Sequence, residues 1–422
     1  MSWQKNIELL AYADLGGKSA FKLAMQETDG HFFLYTGGLW HSGWSILDVT
    51  DPNQPQYLRF VDGPPNTWTI QVQVAEQKMI TGLEHIPAGW ESGESAASPL
   101  DGFIVWDVSD PDRPEVLGRW ASGGRGTHRN FYNGGRYVHA CTTMPGYEGY
   151  GYVIVDIDDP THPVVRGSWW YPGQHVAAGE KYSELDQRRL RLGRPFPTAA
   201  EPQHSLSLHG AAYVLGDRAY CSWMRAGLVI LDTSDVTEPQ LVSCLPVHPP
   251  LGSTIAVHSA VPLPGRDLVA INSEALRESC DEPAGFAGLV DVQDERDPVL
   301  VSLFPQPRVP PGYLAPTFCA KGGRFGPHNQ HQHQGLDCLK LDTNLVFLTY
   351  FNAGLQVFDI TDPRDPYIRG YYIPDDPATR LGPLPKVLVH QAEDVIVDRR
   401  GYIYMSEKNS GIYIMALEGW TA

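Results

Sequence analysis

Five of the fifteen histidines stand in one context. His128 in GTHRNFY, His209 in SLHGAAY, His258 in AVHSAVP, His333 in HQHQGLD and His390 in LVHQAED each open a short apolar run that leads through a turn into a second one. Imidazoles brought to one point either ligate a transition metal or gather polar groups for another reason. The spacings of 81, 49, 75 and 57 residues exclude a local motif such as HExxH, so only the fold can bring these side chains together. Neutral imidazoles suit one transition-metal ion, Fe(II) first, with Mn, Cu, Zn or Ni as alternatives; Ca and Mg want oxygen ligands. The choice of four favours His209, His258, His333 and His390, with His128 a fifth and His331 a substitute for His333 if the register slips. His328 and His331 otherwise belong to the loop GGRFGPHNQHQHQG, near the same place.

A ligating histidine commonly donates its other N–H to a carboxylate. Glu84 in TGLEH, Glu274 in NSEAL and Glu407 in MSEKN end apolar runs, and Glu393 follows His390 closely. Each alone reads as a solvated carboxylate; around a histidine ring they become outer partners or a general base. Arg225 in SWMRAG either holds a substrate carboxylate or pairs with a neighbouring acid. Trp40, His41, His85, Trp223, Tyr350, Phe351 and Asn352 share the carboxylates' register, as a pocket wall or as cover for the strand ends.

The elements that must position these residues repeat. One phrase occurs six times: from Trp44, Gly102, Gly151, Gly227, Gly288 and Gly354, as in GFIVWDVSDPDRPEVLGRW. It is an alternating run, an Asp-rich turn and a second alternating run, which predicts two antiparallel strands. Two more strand-like runs precede each phrase, so each unit is a four-stranded meander, A to D. The units fall near 21–62, 68–120, 127–172, 207–247, 254–306 and 332–372, and 389–418 supplies a seventh without its D strand. The orphan run IELLAYADL (7–15) fills that place and closes the ring. The expectation is an all-β, seven-bladed β-propeller of four-stranded antiparallel blades, one domain over 1–422. The phrase resembles the LVIVD-repeat family of β-propellers, and the resemblance covers most of the chain. A propeller alone does not imply an activity.

The A strands line the channel of such a ring, and the five histidines start them at the top. Lys22 and Thr69 or Gln71 stand there in the first two units. The A–B and C–D turns on the bottom all read as short, while insertions 86–100, 142–150, 173–206, 276–286 and 307–331 fall on top. Long loops on one rigid face are where binding and catalysis usually sit. The segment GEKYSELDQRRLRLG within 173–206 reads as a helix.

A net charge of −17 argues against nucleic acid as partner. No apolar run approaches the roughly 18 residues of a membrane span. No leader pattern opens the chain, which points to the cytoplasm, and the six scattered cysteines then read as free thiols. No phosphate-binding loop and no GxSxG elbow occur.

Three functions remain. The first is a metal-dependent oxidoreductase of the oxygenase type, using O2 on a small apolar or aromatic substrate. Its histidine-only site resembles, in architecture, that of carotenoid cleavage dioxygenases, which place four histidines on Fe(II) with glutamates behind them. The selenium-binding protein and methanethiol oxidase family is similar in shape, but its cysteine motif is missing here. The second is a lyase, isomerase or hydrolase using the metal as a Lewis acid. The third is a non-catalytic interaction scaffold.

Overall fold

Six pairs of aspartates explain the repeated phrase. In each, the aspartate ending a C strand accepts from the amide two residues on, and a second aspartate three residues later does the same. Asp48 Oδ1 accepts from Thr50 N at 2.8 Å and Asp51 Oδ1 from Asn53 N at 2.9 Å. The pair recurs at Asp107 and Asp110, Asp156 and Asp159, Asp232 and Asp235, Asp291 and Asp294, and Asp359 and Asp362. Two consecutive Asx turns thus fix every C–D hairpin. A register shift follows at the same place in each of these six C–D pairs.

The computed structural model describes residues 2–91, 97–192, 206–251 and 254–420. Within them the units form seven antiparallel sheets in a ring, a seven-bladed β-propeller. Blade 1 runs Leu23–Thr28, His31–Gly37, Gly43–Asp48 and Gln56–Asp62. The seventh blade is built from Ala392–Val397, Tyr402–Glu407 and Ile412–Leu417, and Ile7–Ala13 pairs with the last of these as its outer strand. The N-terminal closure is therefore present. A further strand, Trp3–Lys5, pairs with Tyr367–Ile373 at the outside of blade 6.

The apolar core is divided rather than central. Seven buried clusters each lie between two neighbouring blades, from the blade 1/blade 2 contact (Tyr35, Trp44, Ile46 with Val74, Met79, Trp106) round to blade 7/blade 1 (Ile396, Ile414 with Leu23, Leu34). A smaller cluster of Phe131, Tyr213 and Val261 joins the inner strands of blades 3, 4 and 5, and the upper end of the axis carries polar side chains.

Two expectations are corrected. Blade 6 has its inner segment at 328–331, not from 332. His328 N donates to Thr349 O (2.8 Å), Thr349 N to Asn329 O (3.0 Å) and His331 N to Phe347 O (2.9 Å). Residues 332–344 are then a long A–B connection, so the bottom turns are not all short. It crosses the lower channel mouth: Gln334 N donates to Tyr213 of blade 4, Cys338 Sγ to Met25 O of blade 1, and Lys340 N to Val397 O of blade 7. The second correction concerns Cys280 and Cys319, which form a disulfide across 39 residues. It ties the 276–286 loop to the short helix Phe318–Lys321. Cys141, Cys221, Cys244 and Cys338 are free. The helix in the 173–206 insertion is Glu184–Leu192, and residues 193–205 lie outside the described residues. No helix among the described residues is long and apolar enough to cross a membrane.

Candidate metal centre

Four histidines from four consecutive blades stand side by side at the top of the channel. His128 lies in Thr127–Phe131, His209 just ahead of Tyr213–Leu215, His258 in Ile255–Leu263 and His328 at the start of the blade 6 inner segment. Their ring centroids are 4.5, 5.2 and 4.9 Å apart in that order. His328 stacks on Phe351 at 4.6 Å.

Glu274, at the end of Leu268–Glu274, stands among their Nε2 atoms. Its Oε2 lies 3.1 Å from His209 Nε2 and 3.4 Å from His258 Nε2, and its Oε1 lies 3.7 Å from His328 Nε2. Arg324 Nη1 donates to the same Oε1 at 2.9 Å. Two further carboxylates stand behind. Glu84 Oε2 is 2.7 Å from His128 Nδ1 and its other oxygen takes a short bond from the Tyr150 hydroxyl. Glu393 Oε2 is 3.1 Å from His328 Nδ1, and Lys408 Nζ lies 2.6 Å from its Oε1. Each Nδ1–H donated to a carboxylate leaves the lone pair on Nε2, toward the centre.

Electrostatics keep these groups in ligand form. Burial pushes His209 down to about 4 and also lowers His258 and His328, so these three imidazoles are neutral. Burial would raise the carboxylates, but the neighbours outweigh it. His328, His258, His209 and Arg324 hold Glu274 well below the usual range, and Lys408 with His328 holds Glu393 down at about 2.

The donor set fits a metal. His209, His258 and Glu274 offer ligand atoms all within 4.8 Å of one another, a two-histidine, one-carboxylate set of the kind non-haem iron takes. The buried His128 Nε2 and His209 Nδ1 have no hydrogen-bond partner among the described residues. One contact competes: Arg129 Nη2 donates to His258 Nε2 at 3.0 Å, the lone pair that an ion would use.

A cavity of about 370 Å³ opens above the group. Glu84, His128, Arg129, Tyr150, His209, Glu274, Arg324 and His328 form its polar floor. Its walls are Phe21, Leu39, Trp68, Ile70, Pro87, Trp90, Met224, Ile255 and Leu276. Trp40 stacks on Trp90 at 5.7 Å, and Leu381 and Leu384 pack against the same cluster, extending this lid.

A family model for the LVIVD repeat matches residues 147–169 and 212–245. These segments hold the outer half of blade 3 and nearly all of blade 4, the blades that carry His128 and His209. No curated protein matches the chain. Among solved structures it is similar to a functionally unknown protein from Desulfotomaculum acetoxidans DSM 771, at 12% identity and a TM-score of 0.45 over 80% of this chain and 81% of that one.

The propeller thus brings together His128, His209, His258, Glu84 and Glu274 from the sequence-based set. It does not bring His333 or His390 there. His333 lies on the 332–344 connection beside His331, lining a separate cleft with Tyr213 and Val261. His390 is buried apart from the cavity, with Nδ1 3.1 Å from Lys321 Nζ and 3.5 Å from Asp376. Glu407 is fully buried and accepts from the amides of Gln391 and Asn409, both at 2.7 Å. Arg225 is buried in the turn Met224–Ala226 and does not line the cavity, whereas its neighbour Met224 does.

Arg129, Arg324 and Tyr150 escaped the sequence reading. Arg129 directly follows His128, and strict alternation would send it to the opposite face. The register shift between Thr127 and Arg129 breaks that alternation. The same irregularity sits beside His258, between Ile255 and Ser259.

Proposed function

We propose that this chain is a metal-dependent enzyme, an oxidoreductase of the oxygenase type acting on a small organic substrate in the upper cavity. The observation that carries the reading is the convergence of buried, neutral imidazoles on Glu274 beneath an apolar cavity. His209, His258 and Glu274 would hold the ion, Fe(II) first, and His128 and His328 complete the ring. When bound, such an ion supplies electrons to O2, or polarises a carbonyl or a water if it is redox-inert. The chain's own residues do the rest. Glu84 and Glu393 fix the proton on Nδ1 of His128 and His328, Tyr150 stays protonated through its burial and the neighbouring Glu84 carboxylate, and the Trp40–Trp90 lid keeps water from the bound substrate.

The test is metal content of protein purified without chelator or affinity nickel, beside a His209→Ala/His258→Ala double variant. About one equivalent of iron, copper or manganese, lost in the variant, supports the reading, and O2 uptake on substrate addition separates it from Lewis-acid chemistry with zinc. No ion bound and none taken up on reconstitution overturns it. The compartment is a proposal too: four free thiols fit the cytoplasm, the Cys280–Cys319 bond fits an oxidising space, and alkylation at lysis decides.

A further inference from the structure

We propose that the cavity takes an organic anion, a small amphipathic carboxylate whose head pairs with Arg129 and whose apolar body lies under the tryptophan lid. For the substrate's reaction this rests on the metal-enzyme reading; the binding stands on its own observations.

Arg129 is 4% exposed and lines the cavity floor. Its Nη1 donates to Asn329 Oδ1 at 3.3 Å, its Nη2 to His258 Nε2 at 3.0 Å, and its buried Nε has no acceptor among the described residues. None of these partners is a carboxylate. The other buried cations nearby each have one: Lys22 lies 3.1 Å from Asp394, Lys408 2.6 Å from Glu393 and Arg324 2.9 Å from Glu274. The remaining carboxylate, Glu84, is bound to His128 and Tyr150. Arg129 is thus a desolvated guanidinium beside an open cavity: Glu274, Asp394 and Glu393 are near enough for their charges to act on it, but its hydrogen bonds run to Asn329 and His258 and not to a carboxylate. A buried guanidinium whose fork holds no carboxylate is relieved by one arriving there.

The cavity supplies the rest of the ligand's description. The Phe21 ring lies 5.5 Å from the Arg129 guanidinium, and Trp68, Ile70, Trp90, Met224 and Ile255 surround the space beyond it. About 370 Å³ is at the small end of ligand cavities. One guanidinium with no carboxylate in its fork, set against aromatic and aliphatic walls, suits a singly charged planar head on an apolar body, and suits a phosphate poorly.

The test uses the full chain, with and without metal, and follows tryptophan emission or heat. The probes are 3-phenylpropionate, 4-phenylbutyrate and decanoate, each beside its alcohol, and phenyl phosphate. At least one acid is expected to bind about tenfold more tightly than its alcohol, the scale of one charge-assisted pair. Arg129→Met should bring that ratio near one while leaving the alcohol's affinity unchanged, and Arg129→Lys should keep part of it. Equal affinity of every acid and its alcohol overturns the proposal, as does a ratio that survives Arg129→Met. Tighter binding of phenyl phosphate than of any acid also overturns it. Should Arg129→Met fail to fold, the wild-type ratios and the Lys variant decide. Metal measured on the same samples keeps the two readings apart: discrimination without any metal uptake sinks only the enzyme reading, and metal without discrimination sinks only this one.

Discussion

Ring closure by the N-terminal strand has a measurable size. Ile7 is fully buried in the cluster between blades 6 and 7, against Leu355, Val357, Met415 and Leu417, whereas Leu9, two residues on, is 37% exposed. Truncating a buried isoleucine to alanine costs about 2–5 kcal/mol, from lost transfer energy and the cavity left behind. A surface truncation costs roughly 0.5 kcal/mol or less. With an unfolding entropy near 2.1 cal/mol/K per residue, 422 residues give about 0.9 kcal/mol/K, so Ile7→Ala should lower Tm by roughly 2–6 °C and Leu9→Ala by less than about 1 °C. Deleting residues 1–13 should do more, because it bares the edge of Ile412–Leu417 and uncovers part of two blade contacts. The assays are thermal unfolding by circular dichroism and size-exclusion chromatography with light scattering. A deletion that stays monomeric with unchanged Tm would refute the closure. Equal shifts for Ile7→Ala and Leu9→Ala would refute its register.

Other perturbations read other parts of the molecule. Burial raises Glu407 to about 7, above its unfolded value near 4.5, so the folded state keeps a proton that the unfolded chain releases between those pH values. Stability from this group is full below pH 4.5 and lost as pH rises through 7, by about 3 kcal/mol; Glu407→Gln should flatten that part of the Tm–pH curve, and an unchanged slope speaks against it. Reopening the 39-residue loop closed by Cys280–Cys319, in a double serine variant, should cost up to about 4 kcal/mol and speed proteolysis within 307–331; unaltered cleavage there would show that the bond holds nothing in place. A Cβ at Gly382 would sit 2.0 Å from Trp40 Cδ2, so Gly382→Ala should displace the lid and shift tryptophan emission to the red, and an unshifted spectrum would contradict that packing.

The fold was legible because its signal is local and repeated. The paired aspartates and alternating strands recur at a fixed offset, and each copy needs only its own hairpin to be satisfied. The site was legible only where its inner strand kept the common spacing. In blade 6 the common spacing from inner strand to A–B turn points to His333 only if that turn is short. The 332–344 connection moves the true position five residues upstream, from His333 to His328. His390 fails for a related reason: it precedes its strand, and its side chain is drawn to Lys321 and Asp376 on neighbouring loops. Arg324 sits in an irregular insertion, where no periodicity exists to say which way it points.

The division of the core bears on what the channel is for. Seven separate apolar contacts between blades hold the ring, and none of them needs the charges on the axis. Those charges are buried nonetheless: Lys22 with Asp394, Lys408 with Glu393 and Arg324 with Glu274. Desolvating such pairs costs about as much as their attraction returns, and apolar replacements of similar volume are often neutral or stabilising. A channel filled for stability would therefore be apolar. The long connection across the lower mouth and the tryptophan lid above enclose these ionised groups instead, where the low dielectric strengthens whatever they act on. On the metal-enzyme reading proposed above, the polar upper axis would be the working part of the molecule, carried by a ring that does not depend on it.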